Sequence, residues 1–322
     1  MDLIVDRAAV NSVDPYLNKA LDRARKLESQ DHRFALPGNG AMVQGRNNRV
    51  IPGTYADQPV IFKYYGEEGG IHIGQPRDRM GRECFFLNCY SASGLVPTLH
   101  CQGDDFAVIA RFPGVTFPNS SADRETKDRI SYEIGSAHAR ILQIRVSDEK
   151  RCRFDREFFD SQSFDDLALS CVDRIQCRMR SDAGFSGEDL RDSVEFMEGW
   201  FKRNSIESPW ALHKQDWNLN NVLVQGGKLS GFIDFEQSFS GTREAYLGAV
   251  LDCLHSAVQK GKIRWELVKT GYEETSGERL TRDGCEAVLV MAHVNAWRVL
   301  EGADSHLFPA ARTRLLPRDF VV

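Results

Sequence analysis

The hydrophobic period along the chain changes twice. In "DPYLNKALDRARKLE", Leu17, Ala20, Leu21, Ala24 and Leu27 recur at helical spacing behind Asp14, a candidate N-cap, and Pro15 at the first helical position. This predicts an amphipathic helix. From "RFALPGNGAMVQGRNNRVIPGTYADQPVIFKYY" the apolar runs become short and β-prone and are punctuated by Gly, Asn and Pro, which predicts a small antiparallel sheet with a connecting loop. Lys63 closes its best strand. The stretch "RMGRECFFLNCYSASG" is long enough for three to four helical turns ending near Gly94, and "LVPTL" and "FAVIARFPG" then return to strand character.

Pro113-Gly114 breaks this pattern, and beyond about residue 121 helical spacing dominates. Ile130, Ile134, Ala137, Ile141 and Ile144 mark one helix face. Leu190, Val194, Met197 and Phe201 mark another, behind a candidate Ser186 cap with Asp189 three residues on. Within this helical part "WALHKQD", "NVLVQ" and "LSGFIDFE" are β-prone, the last two separated by the hairpin turn Gly226-Gly227. The expected organisation is α+β: a small β-rich part over residues 1–113 and a larger, mainly helical part over 114–322.

Composition narrows the function classes. A chain of 322 residues with 42% hydrophobic positions can bury a sizeable core, and a net charge of −5 without basic blocks gives no electrostatic reason to expect nucleic acid. A small polar substrate is the better expectation. No apolar run approaches membrane-spanning length, and the N-terminal stretch carries acids rather than a basic leader, so the expected location is cytoplasmic. The eight cysteines form no CxxC pair, and no HExxH, GxSxG or phosphate-binding P-loop is present.

The informative stretch is "LHKQDWNLNNVLVQGGKLSGFIDFE", residues 212–236. Phosphoryl transfer from a nucleotide needs a carboxylate that orients the acceptor hydroxyl and hard oxygen ligands for Mg²⁺, which offsets charge building on the phosphate oxygens. Asp216 precedes Asn221 by four intervening residues, and Asp234 follows across the hairpin, which is the order and spacing of a kinase catalytic loop and its metal ligands. Glu236 adds a fourth polar group.

This stretch resembles the Asp-x-x-x-x-Asn, apolar run, hairpin, Ile-Asp-Phe-Glu pattern of the aminoglycoside-phosphotransferase/choline-kinase-like family. The resemblance implies a bilobal protein-kinase-like fold and transfer of the γ-phosphate of ATP or GTP to a small hydroxylated molecule. It implies Asp216 as catalytic base or hydroxyl-orienting residue, and Asn221 and Asp234 as Mg²⁺ ligands. Upstream, "VQGRNNRV" resembles the nucleotide-covering turn, with Gly45, Asn47 and Asn48. Lys63 resembles the strand lysine that meets the phosphates, and Glu83 in "RECFFL" its helix partner. A lysine ammonium meets phosphate as a point charge, so a carboxylate that fixes its long stem has a clear use. Glu67, Glu68 and Asp78 lie within reach in sequence as well.

The pattern also departs from that family. Lys214 stands where a His usually precedes the catalytic Asp by two, and His213 lies one residue earlier. Thr242 and Tyr246 stand where acids are expected after Gly241. These departures motivate a second expectation from another class, a catalytically impaired pseudokinase acting as a nucleotide-responsive binding protein. Acceptor recognition is expected in the C-terminal third, where Trp265, Leu267, Val268 and Tyr272 lie among Glu266, Glu273 and Glu274, and where His293, Trp297 and Arg298 follow.

Overall fold

The computed structural model describes residues 15–37, 43–44, 48–66, 76–120, 122–158, 170, 172–174, 176–177, 180, 188–204, 210–214 and 216–301. The sequence readings at Asp14, Gly45, Asn47, Glu67, Glu68 and Ser186 lie outside these residues. The chain divides into two compact units, one made of residues 1–115 and 230–237, the other of 116–229 and 238–322.

In the first unit, helix α1 (Pro15–Gln30) is followed by strands β1 (Phe34–Ala35), β2 (Val43–Gln44), β3 (Arg49–Tyr55) and β4 (Gln58–Tyr64), then helix α2 (Pro76–Tyr90) and strands β5 (Leu99–Gln102) and β6 (Phe106–Ala110). The sheet runs β1-β3-β4-β6-β5, with β2 also on β3, and every pairing is antiparallel. Side chains alternate across β4. Val60, Phe62 and Tyr64 join Ala20 and Ala24 of α1, Ile51 and Val108 in one buried cluster. Lys63 therefore points to the opposite face, and it is buried there too. A strand covered on both sides loses the outward polar positions of a half-exposed one.

The second unit is mainly helical. Strand β7 (Val115–Thr116) lies at the unit boundary, and α3 (Arg124–Leu142), α4 (Asp148–Phe158) and α5 (Glu188–Phe201) lead to strand β8 (Trp210–Lys214). Strand β9 (Val222–Gln225) turns into β10 (Lys228–Phe232) through Gly226 and Gly227, whose φ values of 56° and 72° are those that a tight hairpin turn demands of both central residues. Strand β11 (Ser238–Thr242) pairs antiparallel with β8, setting Ser238 opposite Lys214 and Phe239 opposite His213. Helices α6 (Arg243–Gln259), α7 (Trp265–Ser276) and α8 (Arg282–Glu301) complete the unit. Leu190, Val194, Met197 and Trp200 of α5 pack with Val290, Met291 and Val294 of α8 in one apolar cluster. Asp123 caps α3 through the Thr126 N–H, and Thr242 caps α6 through the Ala245 N–H.

Among the described residues no helix is long and apolar enough to cross a membrane.

Candidate active site

In the first unit the charged residues gather on the buried side of β4. Glu83 lies on the inward face of α2, wholly buried, and the Lys63 ammonium donates to its Oε2 at 2.6 Å. Tyr65 donates its hydroxyl to the same oxygen at 2.6 Å, and the other oxygen accepts from the Phe235 N–H at 3.2 Å. Lys63 also donates to Asp234 Oδ1 at 2.7 Å and lies 4.0 Å from Glu236 Oε2. The Phe235 ring stacks on Phe86 of α2 at 4.4 Å, which fixes the residue between the two acids against the helix.

Burial alone would lower the Lys63 pKa, but the negative charges of Asp234, Glu83 and Glu236 overcome it and raise the net value. Lys63 is thus a cation at any physiological pH. Burial and the adjacent Glu83 push the Tyr65 phenol well above its usual range, keeping it a neutral donor. Glu236 is drawn upward by burial first, and Lys63 counteracts this.

Glu83, Asp234 and Glu236 bring three carboxylate oxygens within 4.8 Å of one another, a donor set of the hard oxygen type that suits Mg²⁺. Only one of the three is open. The Asp234 side chain is 37% exposed, against 1% for Glu83 and 3% for Glu236. Asp234 also holds a left-handed backbone, φ 66°, a conformation that Asp and Asn tolerate better than most residues.

In the second unit Asp216 and Asn221 come together. A short 3₁₀ turn over Leu219–Asn221 follows Asn218, whose side-chain oxygen accepts from the Asn220 N–H and whose amide donates to Asp216 Oδ1. The Asn221 amide donates to Asp216 Oδ2 at 3.1 Å and to the Asp216 carbonyl at 3.0 Å. This leaves the Asn221 side-chain oxygen as a neutral hard donor. Trp217, the next residue after Asp216, is buried and anchors the loop: the His138 ring meets it edge-on at 4.6 Å and Tyr246 lies 5.3 Å away.

The departures from the expected pattern fill this anchor. Tyr246 hydrogen-bonds His138 Nδ1 at 2.8 Å, so a phenol–imidazole pair occupies the place where an acid was expected. Burial first, and the Lys214 charge second, lower the His138 pKa to about 3, so the ring is neutral. Lys214 is buried within β8 with its ammonium 5.2 Å over the Trp217 ring, and His213 is buried between Phe239 and Tyr246. Lys214 therefore belongs to the packing beneath the loop.

Of the other singled-out residues, Asn48 is buried and donates its amide to Glu236 Oε2 at 2.7 Å. Trp265, Val268 and Tyr272 are buried in helix packing, and His293 is buried against Ser193 at 2.6 Å, so these four face the interior of their unit. Sequence reasoning missed Arg79 and His138 altogether. Arg79 lies one helical turn before Glu83, a spacing visible in "PRDRMGRE", but Arg77 and Arg82 flank it and the pattern does not single it out.

Residues 74–259 match a family described as "Phosphotransferase enzyme family" (APH), more than half of the chain. No curated protein matches the sequence. Among solved structures, the chain is similar to the streptomycin–ATP complex of APH(2'')-IIa, with a TM-score of 0.61, 14% identity and coverage of 94% of this chain and 96% of that one. It is similar to an ethanolamine kinase of Plasmodium vivax, with a TM-score of 0.58, 14% identity and coverage of 95% of each chain. A third likeness is to macrolide 2'-phosphotransferase MphH of Brachybacterium faecium, with a TM-score of 0.60, 15% identity and coverage of 94% and 99%. These likenesses give the chain an α+β, kinase-like fold, with an antiparallel sheet in its N-terminal part and a helical remainder.

Proposed function

Given that the chain belongs to the phosphotransferase enzyme family and is a small-molecule kinase, we propose that it moves the γ-phosphate of ATP to a hydroxyl of a small metabolite or antibiotic in the cytoplasm. GTP is the alternative donor. The observation that carries this reading is the pair of preassembled constellations: Lys63 on Glu83 and Asp234 in one unit, Asp216 on Asn221 in the other. The bound ATP and streptomycin in the complex of APH(2'')-IIa support the choice of nucleotide and the class of acceptor.

In this reading Asp216 orients the acceptor hydroxyl and takes its proton as the oxygen attacks phosphorus. Asn218 and Asn221 hold the Asp216 carboxylate in one rotamer, which limits the entropy lost when substrate arrives. Lys63, fixed by Glu83 and Tyr65, supplies a positive charge to the phosphates of the donor. Asp234 and the Asn221 side-chain oxygen would hold Mg²⁺, which when bound neutralises charge on the transferring phosphoryl group. Asp234 fits that task because it is the open acid of its cluster. Its bond to Lys63 is the one that lysine would exchange for phosphate oxygens. Asn48 is assigned to the nucleotide-covering segment by position, and its side chain reaches the site through Glu236. Gly45 and Asn47 complete that assignment.

The test is Mg²⁺-dependent release of nucleoside diphosphate by the purified protein and by Asp216→Asn. Aminoglycosides, macrolides, sugars, nucleosides and amino alcohols would be supplied in turn. Release stimulated by one acceptor class and lost in the variant is the expected outcome. Release that is insensitive to the Asp216 substitution would overturn the assignment.

A further inference from the structure

Arg79 is completely buried, yet it makes no apolar contribution that a methionine could not make better. Its Nη1 lies 3.4 Å from Glu236 Oε2 and 3.5 Å from Asn48 Oδ1, and its Nη2 donates to the Gly66 carbonyl at 3.1 Å. Its Nε is buried without a partner among the described residues. A guanidinium held in this way joins three separate stretches of chain: the residue before β3, the residue two beyond the end of β4, and the Asp234-Phe235-Glu236 segment.

Arg79 and Glu83 are four residues apart and lie on one face of α2. Glu83 offers an anion to Lys63 of the sheet, while Arg79 offers a cation to Glu236 of the acidic segment. The helix thus holds Lys63 through Glu83, and through Arg79 it holds the segment that carries Asp234, two residues from Glu236. Five charged groups meet here, with Glu83, Asp234 and Glu236 against Lys63 and Arg79. Without Arg79, Glu236 would keep its nearest contacts with Lys63 at 4.0 Å and the neutral Asn48 amide, with the Arg82 charge acting on it from the same helix. Lys63 would then be drawn toward Glu236 and away from Asp234.

We infer that Arg79 is a positioning residue: by holding Glu236 and Asn48 it sets where Asp234 presents its carboxylate to Mg²⁺ and where Lys63 meets the nucleotide. This rests on the functional reading above. Groups that orient metal ligands from behind commonly change metal affinity about 10- to 100-fold when removed. A residue that served only to fill the interior would change the fraction of folded protein and leave the Mg²⁺ requirement of the folded molecules untouched.

The experiment titrates Mg²⁺ against binding of a fluorescent ATP analogue, with thermal melting measured on the same samples. It compares wild type, Arg79→Lys, Arg79→Met and the double variant Arg79→Met/Glu236→Gln, in which no buried carboxylate is left without its cation. The Mg²⁺ midpoint is expected to rise about 10-fold or more in Arg79→Met and in the double variant. Arg79→Lys, which keeps the charge but loses the fork, should fall between them and wild type. An unchanged midpoint in the double variant, if its melt is cooperative, would overturn the inference while leaving the kinase reading intact. Failure of the wild type to bind the nucleotide at any Mg²⁺ concentration would overturn both.

Discussion

Lys63 donates to Asp234 at 2.7 Å from a buried position on β4, while Asp234 receives it from a left-handed backbone and keeps more than a third of its side chain exposed. The two ends of this contact thus live in different dielectric surroundings, and substitutions at them should separate stability from function.

Lys63→Met removes the central cation from three clustered carboxylates, two of them buried. Breaking a buried pair by removing one partner typically costs about 3–5 kcal/mol, because the remaining charge is left uncompensated. Asp234→Asn removes the exposed partner and keeps a residue suited to positive φ, so its stability cost should stay below about 1 kcal/mol. Both should abolish turnover. Urea titration of the two variants checks the contrast, and equal destabilisation would show that Asp234 is as structural as Lys63.

Asp216 is held by the Asn218 and Asn221 amides, so Asp216→Asn keeps one of these side-chain hydrogen bonds, turns its own amide toward the other donor, and removes the proposed proton acceptor. A fall in kcat of roughly two to four orders of magnitude is expected if Asp216 acts as a general base, with the nucleotide KM changing far less. Steady-state kinetics with the best acceptor measures this, and a loss below tenfold would assign Asp216 to orientation alone.

The residues proposed to carry chemistry stand out in the sequence because chemistry constrains both residue type and spacing. Asp216, Asn221 and Asp234 stand out by their order around a hairpin whose Gly226-Gly227 turn could be read directly. Helix α1 was legible for a similar reason, since its apolar spacing and Pro15 are local signals. What escaped is what depends on tertiary contact. Arg79 and Asn48 share the Glu236 carboxylate across separations of 157 and 188 residues, and no local pattern encodes that. Lys214 was legible only as a departure from the family pattern; in the structure it pairs with Ser238 in the β8–β11 ladder and its ammonium lies over the Trp217 ring. Trp265 and Tyr272 fell within the segment expected to recognise the acceptor, but aromatic residues among acids serve equally well as the buried face of an amphipathic helix, and both are buried.

The neutral His138 gives the fold a pH dependence. Its folded pKa is depressed to about 3 while that of the unfolded chain is near 6.5, so between these values the unfolded state binds more protons and stability rises with pH. The contribution is fully present above about pH 6.5 and is lost on acidification at about 1.4 kcal/mol per unit. Replacing both hydrogen-bond partners, as His138→Phe/Tyr246→Phe, removes the titrating group without leaving a buried phenol unpaired. Denaturant midpoints between pH 5 and 7 should fall less steeply for this double variant than for wild type. Parallel slopes would mean that His138 titrates normally.

The crossing of α3 with α7 makes the sharpest packing prediction. A β-carbon on Gly135 would lie 1.8 Å from the Val268 carbonyl oxygen, and one on Gly271 would lie 2.1 Å from that of Tyr132, so the two backbones touch where both helices carry glycine. In isolation Gly→Ala favours a helix by about 1 kcal/mol. Here the clash is with backbone, which cannot rotate away, and overpacking of a filled interior costs about 1–3 kcal/mol or more. Gly135→Ala should therefore lower the melting temperature. Gly199→Ala on α5, where the nearest atom is the flexible end of Arg203 at 3.3 Å, should hold or raise it. Opposite signs in the two melts would tie the effect to the contact between α3 and α7, whereas two stabilised variants would mean that these helices separate easily and that the second unit is less tightly packed than the glycine pair implies.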